Sequence, residues 1–290
     1  MNIPRYWIKE SRSVPGVGGR TCEITAWGWS SESPGEATRV ANARLDRMAV
    51  WHMKGTFPAK YEYMSANPRR EEIVRELRVG EGDPVAVITR NRYGAWVLNS
   101  PDVAFVDVDF PRVRARNFLE GVMFAFSASA RAAREVEARE QTLRDLEAWA
   151  VSSRGLPVRM YRTPAGVRLL FTHKRFDPLG DEIRSLMNHL NCDPLYAILT
   201  RRQACFRARL SPKPWRIGLP NPPFDFPRET PGRLEAFQTW LSQYDSASQS
   251  RAACMLWKQV GPDPTDPRIR AVMELHDHLA ARANRLEDLA

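Results

Sequence analysis

The sequence predicts an α+β fold in which a mostly antiparallel sheet is flanked by helices. Three observations carry this. Short β-like runs separated by turn-sized gaps lie at 85–98 and 158–173. A charged, alanine-rich helical region runs from about 118 to 152, and the chain reads as helical from 234 onward.

The elements follow in order. Residues 21–29 form a strand-like run, 30–34 a turn, and 35–53 a helix with Ala37, Val40, Ala41, Leu45 and Met48 near helical spacing. Residues 54–68 are aromatic and proline-bearing, hence irregular, and 69–77 reads as a short helix ended by Gly80 and Gly82. A β-meander comes next: a strand at 85–89, a turn at 91–94, a partner strand at 95–98, and a turn at 99–101 leading into a strand at 103–110. After the helical region, 158–163 and 167–173 make a hairpin around Pro164, Ala165 and Gly166. Residues 180–191 carry an apolar stripe of Ile183, Leu186, Met187 and Leu190, and Asp193-Pro194 reads as the N-cap and first residue of another helix. Seven prolines between 211 and 232 imply an extended segment, and a Gly-Pro-Asp-Pro stretch at 261–264 interrupts the C-terminal helices. Residues 1–80 are expected to pack as α/β elements on a sheet core at 81–215. A proline-rich connector and helices at 216–290 complete one integrated domain.

Composition narrows the function. The chain has 290 residues, 43% of them hydrophobic, and nine tryptophans, which indicates a folded protein with a sizeable core. No apolar run approaches the length of a membrane span, and residues 1–10 lack the apolar segment of a secretory signal, so a cytoplasmic location is expected. Cys22, Cys192, Cys205 and Cys254 lie far apart, as buried thiols do, and no pair has zinc-knuckle spacing. His276 and His278 are two apart in a helical pattern and do not share a face. The net charge of +9, dominated by arginine, is consistent with a nucleic-acid or nucleotide-phosphate partner.

The most informative stretch is 103–110, an apolar strand ending in Asp107 and Asp109. Alternation puts Val103, Phe105, Asp107 and Asp109 on one face and Ala104, Val106, Val108 and Phe110 on the other, so both faces start out covered. Two adjacent carboxylates repel unless a proton or cation lies between them, and Mg²⁺ or Mn²⁺ suits an all-oxygen pair. Salt bridges to Arg112, Arg114 or Arg116 are the competing explanation.

Four pieces occur in order: the Asp-Val-Asp strand, the hairpin from Thr163 to Arg168, Asp193, and a basic run containing Arg207, Arg209 and Lys213. This arrangement resembles the catalytic module of the archaeo-eukaryotic primase and primase-polymerase superfamily over residues 85–215. The resemblance implies an RRM-like sheet core and a divalent-metal-dependent nucleotidyltransferase centre at Asp107, Asp109 and Asp193. It further implies nucleotide binding by Arg162, Thr163, Gly166, Arg168, Arg207, Arg209 and Lys213. The implied cofactor is Mg²⁺ or Mn²⁺, and the implied partners are nucleoside triphosphates and a single-stranded or primer-template nucleic acid. The hairpin departs from the family pattern: Thr163 and Pro164 stand where Ser-Gly would, and Arg168 replaces a histidine. A non-catalytic nucleic-acid-binding replication or mobile-element accessory protein is the alternative, and a metal-dependent nuclease is another. Each piece also has an ordinary structural explanation: a hairpin turn for 163–166, a helix cap for Asp193 and a solvated strand face for Arg207 and Arg209. Trp215 is either core or a base-stacking surface.

Overall fold

The structure is a computed structural model that describes residues 1–16, 21–56, 67–113, 127–152 and 156–290. It is α+β, with three antiparallel sheets among the described residues. The first pairs β1 (Tyr6–Pro15) with β2 (Thr21–Ser30). Helix α1 (Pro34–Lys54) covers it. Ser33 caps this helix by accepting from the Glu36 N–H at 3.2 Å, and Gly55 ends it at φ 64°. Val14, Ile24, Ala26 and Leu45 give this unit a small core of its own.

The other two sheets form the body. One has the order β3 (Glu72–Leu77), β4 (Ala86–Arg90), β5 (Trp96–Ser100), β9 (Phe206–Arg209). The second has the order β10 (Met255–Val260), β7 (Val158–Thr163), β8 (Gly166–Phe171), β6 (Phe105–Asp109). Helices α2 (Ala128–Ser152), α3 (Asp181–His189), α4 (Pro194–Gln203), α5 (Pro231–Ser248) and α6 (Pro267–Ala280) flank them. Phe105, Leu169, Leu170, Phe171 and Phe206 are fully buried in one continuous core. No helix among the described residues is long and apolar enough to cross a membrane.

Three expectations are corrected. Residues 69–77 are not a helix: Glu72–Leu77 is a strand, because pairing with β4 outweighs a local pattern that fits either period. The C-terminal part is not all helical, since Met255–Val260 adds an edge strand to β7 through a register shift between Leu256 and Lys258. The acidic strand does not continue the β4–β5 meander; it leaves that sheet and pairs with β8 in the other. Its burial is as expected, with Phe105, Val106 and Val108 enclosed and Asp109 exposed at the end. The expected helix at 118–152 is seen from Ala128 on, and 114–126, including Arg114 and Arg116, lies outside the described residues. The hairpin read from the sequence is present, with the turn shortened from Pro164–Gly166 to Pro164-Ala165 because Gly166 already pairs as the first residue of β8.

This pairing positions everything that follows. Asp107 faces Arg168 across the strands, and Asp109 faces Gly166. A Cβ on Gly166 would collide with the Val108 carbonyl oxygen and the Asp109 Cα, so only glycine lets the hairpin approach the acidic strand this closely. Ala165 completes the closure by accepting from the Phe110 N–H at 2.8 Å. Gly166→Ala is therefore expected to cost about 2–3 kcal/mol in urea unfolding. A loss under about 0.5 kcal/mol would contradict the close approach.

Candidate functional site

The two body sheets meet edge to edge where β6 runs beside β9. Edge strands carry unpaired backbone groups, and buried ones must find partners. The Tyr196 hydroxyl donates to the Phe105 carbonyl at 2.8 Å and lies 3.3 Å from the Arg207 N–H, bridging the strands. The Asp193 N–H donates to the Asp107 carbonyl at 2.9 Å. Asp193 thus lies beside the acidic pair, at the start of α4, where its Oδ1 also accepts from the Leu195 N–H at 3.0 Å.

Asp107 is held by Arg168 in a two-pronged ion pair, Nε to Oδ1 at 2.8 Å and Nη2 to Oδ2 at 3.2 Å. Nη1 of Arg168 donates to the Arg209 carbonyl at 2.9 Å and lies 3.4 Å from Nε2 of His276. Burial opposes the charge on Arg168, but Asp107 holds its pKa above the ordinary arginine value. His276 is fully buried, and desolvation depresses its pKa, so the ring is neutral. Nδ1 of His276 then donates to Asp277 at 3.3 Å, and Asp277 in turn accepts from Tyr161 at 2.6 Å and Arg159 at 2.7 Å. Arg168 was expected to hold phosphate; instead the residue is 3% exposed and its guanidinium is occupied by protein groups.

Asp109 differs from Asp107. Among the described residues its carboxylate accepts no hydrogen bond, and desolvation, then Asp193 and Asp107, raise its pKa. Lys213 and Arg112 oppose that shift, and Arg216 also feels Asp109. Burial and the neighbouring Arg209 and Arg216 lower the pKa of Lys213. Arg209, pushed down to about 10 by desolvation and by Arg168 and Arg216, donates to the Ser211 carbonyl at 2.9 Å. Arg216 has one buried nitrogen, Nη1, with no acceptor among the described residues.

The remaining expected residues divide. Thr163 accepts from the Ala165 N–H at 3.3 Å within the turn. Arg162 lies over Trp257, toward the opposite edge of the sheet, 5.1 Å from the ring centre. Arg207 is committed to Glu71, with Nη2 2.8 Å from both oxygens, and to Gln203. The structure therefore brings Asp107, Asp109, Asp193, Gly166, Arg209 and Lys213 together and leaves Arg162 and Arg207 apart. Arg216 was not named from the sequence, Arg112 was named only as a salt-bridge partner of the acids and His276 only as a helical histidine; their place depends on long-range packing that local spacing does not encode.

Asp109 stands on the rim of two clefts. One, of about 320 Å³, is lined by Arg112, Arg131, Arg139 and the hairpin turn Pro164-Ala165. The other, of about 460 Å³, lies between the end of β6, α2 and the end of α3, with Trp149, Asp145 and Asn191 in its wall. For a hard cation the donor chemistry fits: all three acids are carboxylates, and each keeps lone pairs beyond its protein contacts. As placed, no three His, Cys, Asp or Glu side chains among the described residues surround a common point. Asp109 or Asp193 would have to turn to complete a shared coordination sphere.

Two outcomes are expected. Arg168→Met leaves Asp107 without its counter-ion and should cost about 3 kcal/mol in denaturant unfolding, with partial recovery when Asp107→Asn is added. In chelator, Asp109→Asn should raise the thermal midpoint at neutral pH. A carboxyl with a raised folded pKa favours the folded state while protonated and loses that contribution as pH rises through the folded value. The advantage of the variant should therefore fade on acidification, and a pH-independent difference would contradict the electrostatic crowding.

No protein-family model matches the chain, and neither a curated protein nor a solved structure is significantly similar to it.

Proposed function

We propose that the chain is a divergent primase-polymerase-like nucleotidyltransferase that joins nucleotides on a nucleic-acid template with Mg²⁺ or Mn²⁺. The observation that carries this is the gathering of Asp107, Asp109 and Asp193 at the end of one strand, where desolvation and then the two neighbouring acids raise the pKa of Asp109. Such a cluster relaxes when a cation or proton joins it. Beside it lies a cleft lined by Arg112, Arg131 and Arg139, with Glu135 paired to Arg131 at 3.3 Å, whose arginines suit a triphosphate tail.

In this reading Asp109, whose carboxylate accepts no hydrogen bond among the described residues, is the principal ligand, and Asp107 and Asp193 complete the set. The divalent ion would supply charge neutralisation at the attacking and leaving oxygens. Arg168 fixes the Asp107 carboxylate in place. Lys213, whose ammonium feels both Asp107 and Asp109, is placed to balance charge on a phosphate brought to the acids. Arg112, Arg131 and Arg139 would orient the phosphate tail, and Gly166 allows the hairpin to lie against the acid strand.

One observation favours a non-catalytic nucleic-acid-binding protein: Asp107 is already neutralised by Arg168, and the acids do not converge on one point. The two readings part in one assay. Nucleotide incorporation on a primed single-stranded template should require Mg²⁺ or Mn²⁺ and fall at least about a hundredfold in Asp109→Asn. Full incorporation by that variant would refute the assigned centre. Binding without turnover, indifferent to chelator, would select the accessory-protein reading, and degradation of the template without added nucleotides would select a nuclease.

A further inference from the structure

Of the nine tryptophans, Trp215 alone is largely exposed, at 50%. It stands on the short 3₁₀ turn Pro214–Arg216 that follows β9, directly after Lys213. Tyr93 meets it edge to face, with ring centres 5.1 Å apart. Tyr93 belongs to the tight turn between β4 and β5, and that turn is fixed: Asn91 accepts from the N–H groups of Tyr93 and Ala95 at 2.9 and 3.2 Å, and the Gly94 N–H donates back to the Asn91 carbonyl at 2.8 Å. Gly94 itself has φ 84° and rests against the Trp240 ring, leaving no room for a side chain. An exposed tryptophan with a half-buried tyrosine against it is thus held on rigid supports, where burial would have favoured hiding the larger ring.

Cations frame the pair. Nζ of Lys213 lies 5.3 Å from the centre of the Trp215 ring, and the Arg92 guanidinium lies 5.5 Å from that of Tyr93. Arg216, on the same turn, has a buried Nη1 with no acceptor among the described residues. Lys213 and Arg216 are the same residues whose charges reach Asp109. A row therefore runs from the exposed Trp215 ring, with Tyr93 against it, through two cations to the acidic cluster. Rings for stacking alternating with cations for phosphate is the chemistry that holds unpaired nucleotides, because every base offers a π-face and every linkage a negative charge. A duplex hides its base faces and would gain only from the cations.

We infer that Trp215 and Tyr93 form a stacking platform for a single-stranded nucleic acid, which Lys213, Arg216 and Arg92 hold by its phosphates as it approaches Asp109. The inference rests on the nucleic-acid reading above and adds the strand's point of contact to it. Because the platform lies outside the acidic cluster, binding to it needs no cation at the acids.

The test is fluorescence anisotropy of the full chain with labelled oligothymidylate, oligouridylate and a duplex, all in EDTA. The wild type should bind both single strands more tightly than the duplex. Trp215→Ala should weaken single-strand binding about tenfold or more, and Trp215→Phe should keep most of it, since a half-exposed ring is lost in one variant and conserved as an aromatic in the other. Arg92→Gln should lower the slope of log affinity against log salt by about 0.7. Three results would each overturn the platform: a wild type that binds no single strand, a Trp215→Ala variant that binds as the wild type does, and a duplex bound as well as the single strands. Loss of incorporation chemistry with stacking intact would instead remove the enzymatic reading and leave the platform standing.

Discussion

The Asp107–Arg168 ion pair is the constraint on which the rest of this structure hangs. It joins neighbouring strands of one sheet, and through the Arg209 carbonyl it ties that sheet to the next. Through His276 it also reaches α6. Burying a guanidinium is costly, and here the loss of hydration is offset by two carboxylate bonds, a carbonyl and a neutral imidazole. The neutrality of His276 matters, since a charged imidazole would present a proton where Arg168 needs an acceptor. Asp277, whose Oδ1 also accepts from Tyr161 and whose Oδ2 accepts from Arg159, sets that tautomer.

The same pair divides the labour of the acids. Asp107 is neutralised from within, so it contributes a fixed position and little free charge. Asp109, two residues on and at the end of the strand, has no such partner among the described residues and is the group that responds to solution. Asp193 stands between these cases, with one oxygen occupied by its own helix N-terminus. Three chemically identical side chains thus differ in availability because of where the backbone places each.

Much of this architecture is legible in the sequence where the signal is local. The alternation in Phe105-Val-Asp-Val-Asp109, the turn at Pro164-Ala165 and the Asp193-Pro194 helix start all depend on neighbours a few residues away, and all are present. Strand β3 was misjudged because Glu-Ile-Val-Arg-Glu-Leu satisfies both periods, and only the pairing with β4 decides. Strand β10 carries one face half-buried and no clean alternation, as an edge strand often does. Arg168 looked like a phosphate ligand because its type and its place after Gly166 are visible, whereas its register opposite Asp107 is not. Arg207 was similarly committed in advance by Glu71, more than a hundred residues away.

The location of the site follows from the same physics as the fold. Two sheets that meet edge to edge leave carbonyls and N–H groups facing each other across a seam, and a buried seam cannot remain unsatisfied. Here it is closed by Tyr196 and the Asp193 backbone, both from α4 and its N-cap, and by Arg168 from β8. Recruiting them brings an acidic helix start and a basic strand end to the place where the acidic strand runs out into solvent. A hydrophobic filling could not have served, because it would have left the Phe105, Asp107 and Arg209 carbonyls without donors. The polar cluster at Asp109 is thus a consequence of joining these sheets by their edges, and the exposed Trp215 ring, with Tyr93 against it, stands on the turn that follows β9.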